Sequence, residues 1–162
     1  MNRRRARLNL VAIAVALALA FAGFLWWAQP QPLLPEATAA LASTPTVAFA
    51  EDPDGRLTYT PVAGTPEAGL ILYPGGKVPP AAYAPQAQAI AERGHLVAIV
   101  SVPFNLAVFD IDAAQAVIDD HPEISAWAIG GHSLGGSMAA QFVDSHPGLV
   151  AGLVLWASYS AG

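Results

Sequence analysis

Cysteine is absent from the 162 residues, so neither disulfides nor thiolate metal ligands enter any account of this chain. Charge is scarce as well: only 12% of residues are Asp, Glu, Lys or Arg, against about 25% in an average domain. Lysine occurs once, at position 77, and seven basic residues face twelve acidic ones. Four of the seven are Arg3, Arg4, Arg5 and Arg7, which leaves everything after them strongly acidic. Nucleic acid is thereby excluded as a partner. The acidic run Asp110, Asp112, Asp119, Asp120 and Glu123 lacks the spacing and central glycine of a calcium loop, and it reads as a solvated helix face and turn. No metal site and no cofactor site is expected. Apolar residues, by contrast, make up 54% of the chain, which points to one buried core, a membrane segment, or both.

The membrane segment is visible first. Leu10 to Ala28 holds no charge and no strongly polar side chain. As a helix it would be about 28 Å long, close to a bilayer's hydrocarbon thickness. The arginines precede it, and Trp26 and Trp27 stand at its far end, where an interfacial aromatic belt belongs. The positive-inside tendency keeps residues 1–9 in the cytoplasm as a basic tail and sends the rest across. Ala18-Leu19-Ala20 fits a signal-peptidase site but falls inside the apolar run, which is also longer than a signal core. Length therefore favours an uncleaved anchor over residues 10–28, with a secreted, cleaved form as the alternative. Residues 29–45, rich in Pro and Ala with a single charge, read as a semi-rigid spacer lifting a body at 46–162 off the membrane.

Within that body, Val47–Ala50 and Leu57–Val62 flank Asp52-Pro53-Asp54-Gly55, a strong turn signal, and predict an antiparallel hairpin. Gly69–Tyr73, His95–Val102, Ala126–Ile129 and Gly152–Tyr159 are apolar runs of the kind buried parallel strands show. Helical spacing appears over Pro79–Arg93, closed by Gly94, and over Asp110–Asp119 and Leu134–Ser145. Strand and helix alternation of this order predicts a largely parallel sheet with helices on both faces.

Between the last-but-one strand and the helix from Leu134 lies Gly131-His132-Ser133-Leu134-Gly135, a G-x-S-x-G pattern. An apolar strand before it and a small-residue helix after it are the context that a nucleophile elbow requires. The reason is steric: a serine in so tight a turn needs neighbours without side chains, and glycines at 131 and 135 supply them. The helix N-terminus behind it aims backbone N–H groups at developing negative charge. The pattern lacks the Lys-Ser/Thr of a phosphate-binding loop.

Together with Tyr73-Pro74-Gly75-Gly76-Lys77 after the first long strand, this elbow resembles the α/β-hydrolase superfamily, in particular its small bacterial members. The resemblance spans residues 46–162 and implies the α/β-hydrolase fold and a small-molecule acyl substrate. It also implies catalytic Ser133 and an oxyanion hole built from the N–H of Leu134 and that of Gly76 or its neighbour Lys77. Members complete the triad with an acid and then a histidine on later strands. Here only Asp144 and His146 follow Ser133, about three turns down the outgoing helix and so roughly 16–20 Å from the site. His95, His121 and His132 precede the serine and read as surface or satisfied structural residues, and Lys77 as a solvated loop lysine. The expectation is the N-terminal portion of a membrane-anchored serine hydrolase acting on an ester or thioester. The rival is a non-catalytic, membrane-tethered module on the same scaffold.

Overall fold

The computed structural model describes residues 3–160; Met1, Asn2, Ala161 and Gly162, which the expected tail and body include, lie outside the described residues. Helix α1 runs Arg3–Trp27 and is followed by the short α2, Pro35–Ala39. Strands β1 (Val47–Glu51), β2 (Leu57–Pro61), β3 (Ala68–Tyr73), β4 (Leu96–Ile99), β5 (Ala126–His132) and β6 (Gly152–Trp156) form one sheet in the order β1-β2-β4-β3-β5-β6. The hairpin β1–β2 turns on Gly55 (φ +84°) and β2 runs antiparallel to β4. The four strands β4, β3, β5 and β6 are parallel to one another. Helices α3 (Ala84–Ala91), α4 (Ala113–Asp120) and α5 (Leu134–Ser145) provide the crossovers. This is an α/β-hydrolase fold over the described residues.

The period-two alternation of β3 divides the core. Ile71 and Tyr73 face the layer with α4 and α5, among Val117, Trp127, Met138 and Phe142. Leu70 and Leu72 face the layer with α3, among Tyr59, Ala84, Ala87 and Val97. Tyr73 does more than fill space: its hydroxyl donates to Ile111 O at 2.5 Å and accepts the Ala114 N–H at 2.8 Å. That bond holds the first turn of α4, which begins three residues later than the spacing alone indicates. Burial pushes the Tyr73 phenol well above its ordinary range, so it stays a neutral donor.

Three expectations need correction. The helix expected over 79–93 is a 3-10 turn at Pro80–Tyr83 followed by α3, because Pro85 has no N–H to bond back to Ala81. Strand β5 continues past Ile129 through Gly130 and Gly131, which pair with both β3 and β6, to His132, which pairs with β6 alone. Residues 29–45 are no spacer: α2 lies against the α3 layer with Ala37 and Ala40 buried. The buried Tyr59 hydroxyl donates to Ala40 O at 3.1 Å, and Gln31 N–H donates to Lys77 O at 3.0 Å. The linker is thus fastened to the body along its length.

Helix α1 is long and apolar enough to cross a membrane over Arg7–Trp27, with mean hydropathy 2.5 and none of that stretch buried against protein. The helix takes in the arginines from Arg3 onwards.

Candidate active site

Ser133 sits where β5 gives way to α5, with φ 51° and ψ −121°. A side-chain-bearing residue in that region costs on the order of 1–3 kcal/mol and persists only when its surroundings over-determine it. They do. Its N–H donates to Trp156 O at 3.0 Å, and its carbonyl accepts from Gly136 N–H at 3.1 Å, Ser137 N–H at 3.3 Å and Ser158 Oγ at 2.6 Å. With the backbone held on every side, the side chain projects into solvent at the carboxyl edge of the sheet.

The flanking glycines are required by backbone, not by side chains. A Cβ on Gly131 would lie 2.5 Å from Gly135 C and 2.6 Å from Tyr73 O. One on Gly135 would run into the carbonyl oxygens of Tyr73 and Pro74. Helix α5 therefore enters the sheet edge at a distance that only glycine permits.

The loop after β3 approaches the same point. A Cβ at Gly76 would stand 3.3 Å from Leu134 Cδ2 and 3.8 Å from Leu134 Cβ, which puts this loop against the first residue of α5. Leu134, as the first helical residue, has an N–H with no acceptor inside the helix. The Gly76 N–H has no acceptor among the described residues. The N–H of Lys77, by contrast, donates to Asn105 O at 2.8 Å. Of the two loop donors that the sequence leaves open, Gly76 is the uncommitted one. The Lys77 ammonium lies 4.8 Å over the ring of Trp27.

Loop and elbow are joined by Tyr83. Its hydroxyl accepts the Gly75 N–H at 2.9 Å and shares a hydrogen bond with His132 Nδ1 at 3.0 Å. Burial raises the phenol's pKa, and the Gly75 hydrogen bond only partly opposes this. Tyr83, Asn105 and Ser158 escape a reading of the sequence, because each acts on a partner far along the chain and none belongs to a local pattern.

The remaining histidines lie elsewhere. His121 Nδ1 pairs with Glu123 at 2.9 Å, holding that exposed carboxyl below its usual range. His146 Nδ1 bonds Phe142 O at 3.0 Å at the far end of α5. His132 is turned to Tyr83, and His95 lies at the opposite, amino end of the sheet beside Trp127 and Gly152. Among the described residues, no histidine or carboxylate is hydrogen-bonded to Ser133 Oγ, and no group of three or more His, Asp and Glu could hold a metal. What the site offers is an exposed serine at a helix N-terminus, with the Gly76 loop packed against the first residue of that helix.

Comparison with known proteins bears on the fold and the family. No curated protein matches the chain. Among solved structures, a thermophilic esterase from the planctomycete Thermogutta terrifontis superposes with a TM-score of 0.52 at 17% identity, covering 70% of this chain and 54% of the esterase. A hormone-sensitive lipase from a metagenome library gives 0.54 at 14% identity, covering 80% of this chain and 52% of the lipase. The chain thus spans about half the length of these proteins, and at such identities the likeness is one of fold. The sequence profile described as the Alpha/beta hydrolase family matches residues 69–162. With more than half of its length matched, and with an elbow of this geometry, the chain belongs to the alpha/beta hydrolase family.

Proposed function

We propose that this protein is a serine hydrolase of ester-like bonds, held to a membrane by α1. The observation that carries the reading is the exposed, strained Ser133 at the start of α5, with the loop of Gly76, whose N–H is uncommitted, packed against Leu134 beside it. Ser133 Oγ attacks the carbonyl carbon of a carboxylic ester or thioester, and the carbonyl oxygen takes the electron pair and lies between the two N–H donors. As the tetrahedral centre collapses, the bond to the leaving alcohol or thiol breaks, and the proton from Ser133 passes through a general base to that leaving group. Water then cleaves the acyl-serine by the same route in reverse. The general base is assigned to none of the described residues, because no histidine or carboxylate among them is hydrogen-bonded to Ser133 Oγ.

In the protein produced from its own gene in its own host, Ser133→Ala is expected to abolish ester hydrolysis without loss of fold. Activity above about one-hundredth of the parent would require another nucleophile. The same lack of a base favours a second reading, a non-catalytic module on this scaffold. Fluorophosphonate labelling separates the two, since a non-catalytic module leaves Ser133 unlabelled.

The topology follows from the charge bias of α1. Arg3 to Arg7 stay cytoplasmic and the body lies on the extracytoplasmic side. Alkaline phosphatase fused after Gly162 should then be active, and activity of a cytoplasm-only reporter there would reverse the assignment.

A further inference from the structure

The end of α1 does not simply release the chain. Phe24 packs edge-on against Phe104 at 5.3 Å and against Phe109 at 6.5 Å, and those two rings meet each other at 5.7 Å. Phe104, Val108 and Phe109 are nonetheless 42%, 44% and 53% exposed, in line with Trp26 at 80% and Trp27 at 50%. The apolar surface of the span thus continues onto the body as a patch on the segment between β4 and α4. Phe104 and Asn105 hold φ of 58° and 55°, an unfavourable conformation for an aromatic residue that the fold maintains with the ring displayed to the outside.

The segment that carries this patch also borders the candidate oxyanion loop, through Asn105 and Leu106 rather than through the patch residues themselves. Asn105 O accepts the Lys77 N–H at 2.8 Å, and Leu106 Cδ2 lies 3.6 Å from where a Gly76 Cβ would be. Lys77 places its ammonium over Trp27, and its carbonyl accepts the Gln31 N–H just beyond the span. Aromatic rings and a lysine at the end of an apolar helix mark the headgroup level of a bilayer.

We infer that the Phe104–Val108–Phe109 patch lies in the bilayer surface, so that the Ser133 edge faces the membrane and takes acyl esters dissolved in it. The occupant of the patch is the lipid bilayer, because the patch is continuous with a helix long and apolar enough to cross one. The substrate class rests on the hydrolase reading above; the orientation does not.

The absence of cysteine makes the orientation directly measurable. The full chain, carrying either Phe109→Cys or Ser125→Cys with an environment-sensitive fluorophore, is reconstituted in phosphatidylcholine vesicles with nitroxide-labelled lipid. Ser125 is exposed at the amino end of β5, away from the patch. Quenching several-fold stronger at 109 than at 125 is expected, and equal quenching overturns the orientation whether or not the protein is an enzyme. In the protein produced from its own gene, Val108→Ser with Phe109→Ser should lower hydrolysis of a long-chain acyl ester held in vesicles about tenfold, while a water-soluble short-chain ester is hydrolysed as before. Equal loss on both esters overturns the substrate class by showing a structural role. Failure of the parent protein to hydrolyse either ester removes the hydrolase reading and the substrate class with it, while the quenching result still judges the orientation.

Discussion

Two loops at the carboxyl edge of one sheet meet at Ser133, and they are built on opposite terms. The turn from β5 into α5 is shaped by what is missing: Gly131 and Gly135 allow backbone to touch backbone, and no side chain could relieve an intrusion there. The loop from Pro74 to Val78 after β3 is shaped by what is present: the Tyr83 hydroxyl, the Asn105 carbonyl and the Leu106 and Leu134 side chains grip it from outside. The first should fail abruptly on small changes, and the second by degrees.

The largest difference is expected at Gly135. Alanine there gains about 1 kcal/mol of helix propensity, yet its Cβ would overlap the Tyr73 and Pro74 carbonyl oxygens. Overlap with fixed backbone wins, and Gly135→Ala should lose about 1–3 kcal/mol of stability or more. Thermal unfolding of the purified chain measures it; an unchanged midpoint would mean the elbow is looser than its contacts imply.

Tyr83→Phe comes next. It leaves the Gly75 N–H without its acceptor at a half-buried position and His132 without its partner. The expected cost is about 1–3 kcal/mol, with a fall in ester turnover if Gly76 is the donor proposed above. Its pH dependence checks the cause. Because burial raises the phenol's pKa, the anchor is fully present below the ordinary tyrosine value of 10.0 and is lost as pH rises through the higher folded value. The stability difference between parent and variant should therefore stay constant across neutral pH and shrink only in strong alkali. A difference that already shrinks near neutrality would place the effect in another group.

Gly76→Ala should matter least. Its nearest neighbours are the ends of Leu134 and Leu106, at 3.3 and 3.6 Å, and both can shift a few tenths of an ångström. Below about 1 kcal/mol is expected for stability, with the N–H still in place and turnover little changed. A loss as large as that of Gly135→Ala would erase the contrast between the loops.

Local chemistry was legible in the amino-acid order alone. Apolar runs located β3 to β6, Asp52-Pro53-Asp54-Gly55 located the hairpin, the arginines and the apolar stretch to Ala28 located α1, and G-x-S-x-G located Ser133, since each is a pattern among residues adjacent in the chain. Tertiary structure alone decided what distant residues do to one another. It withdrew the Lys77 N–H from the site by giving it to Asn105, set Tyr83 between two loops, and drew residues 29–45 onto α3. It also carried the apolar surface of α1 across Phe104 and Phe109, on the segment that borders the candidate oxyanion loop. The physical reason is that hydrogen bonds and ring contacts between such positions depend on how the crossovers bring segments together in space, which no local periodicity encodes.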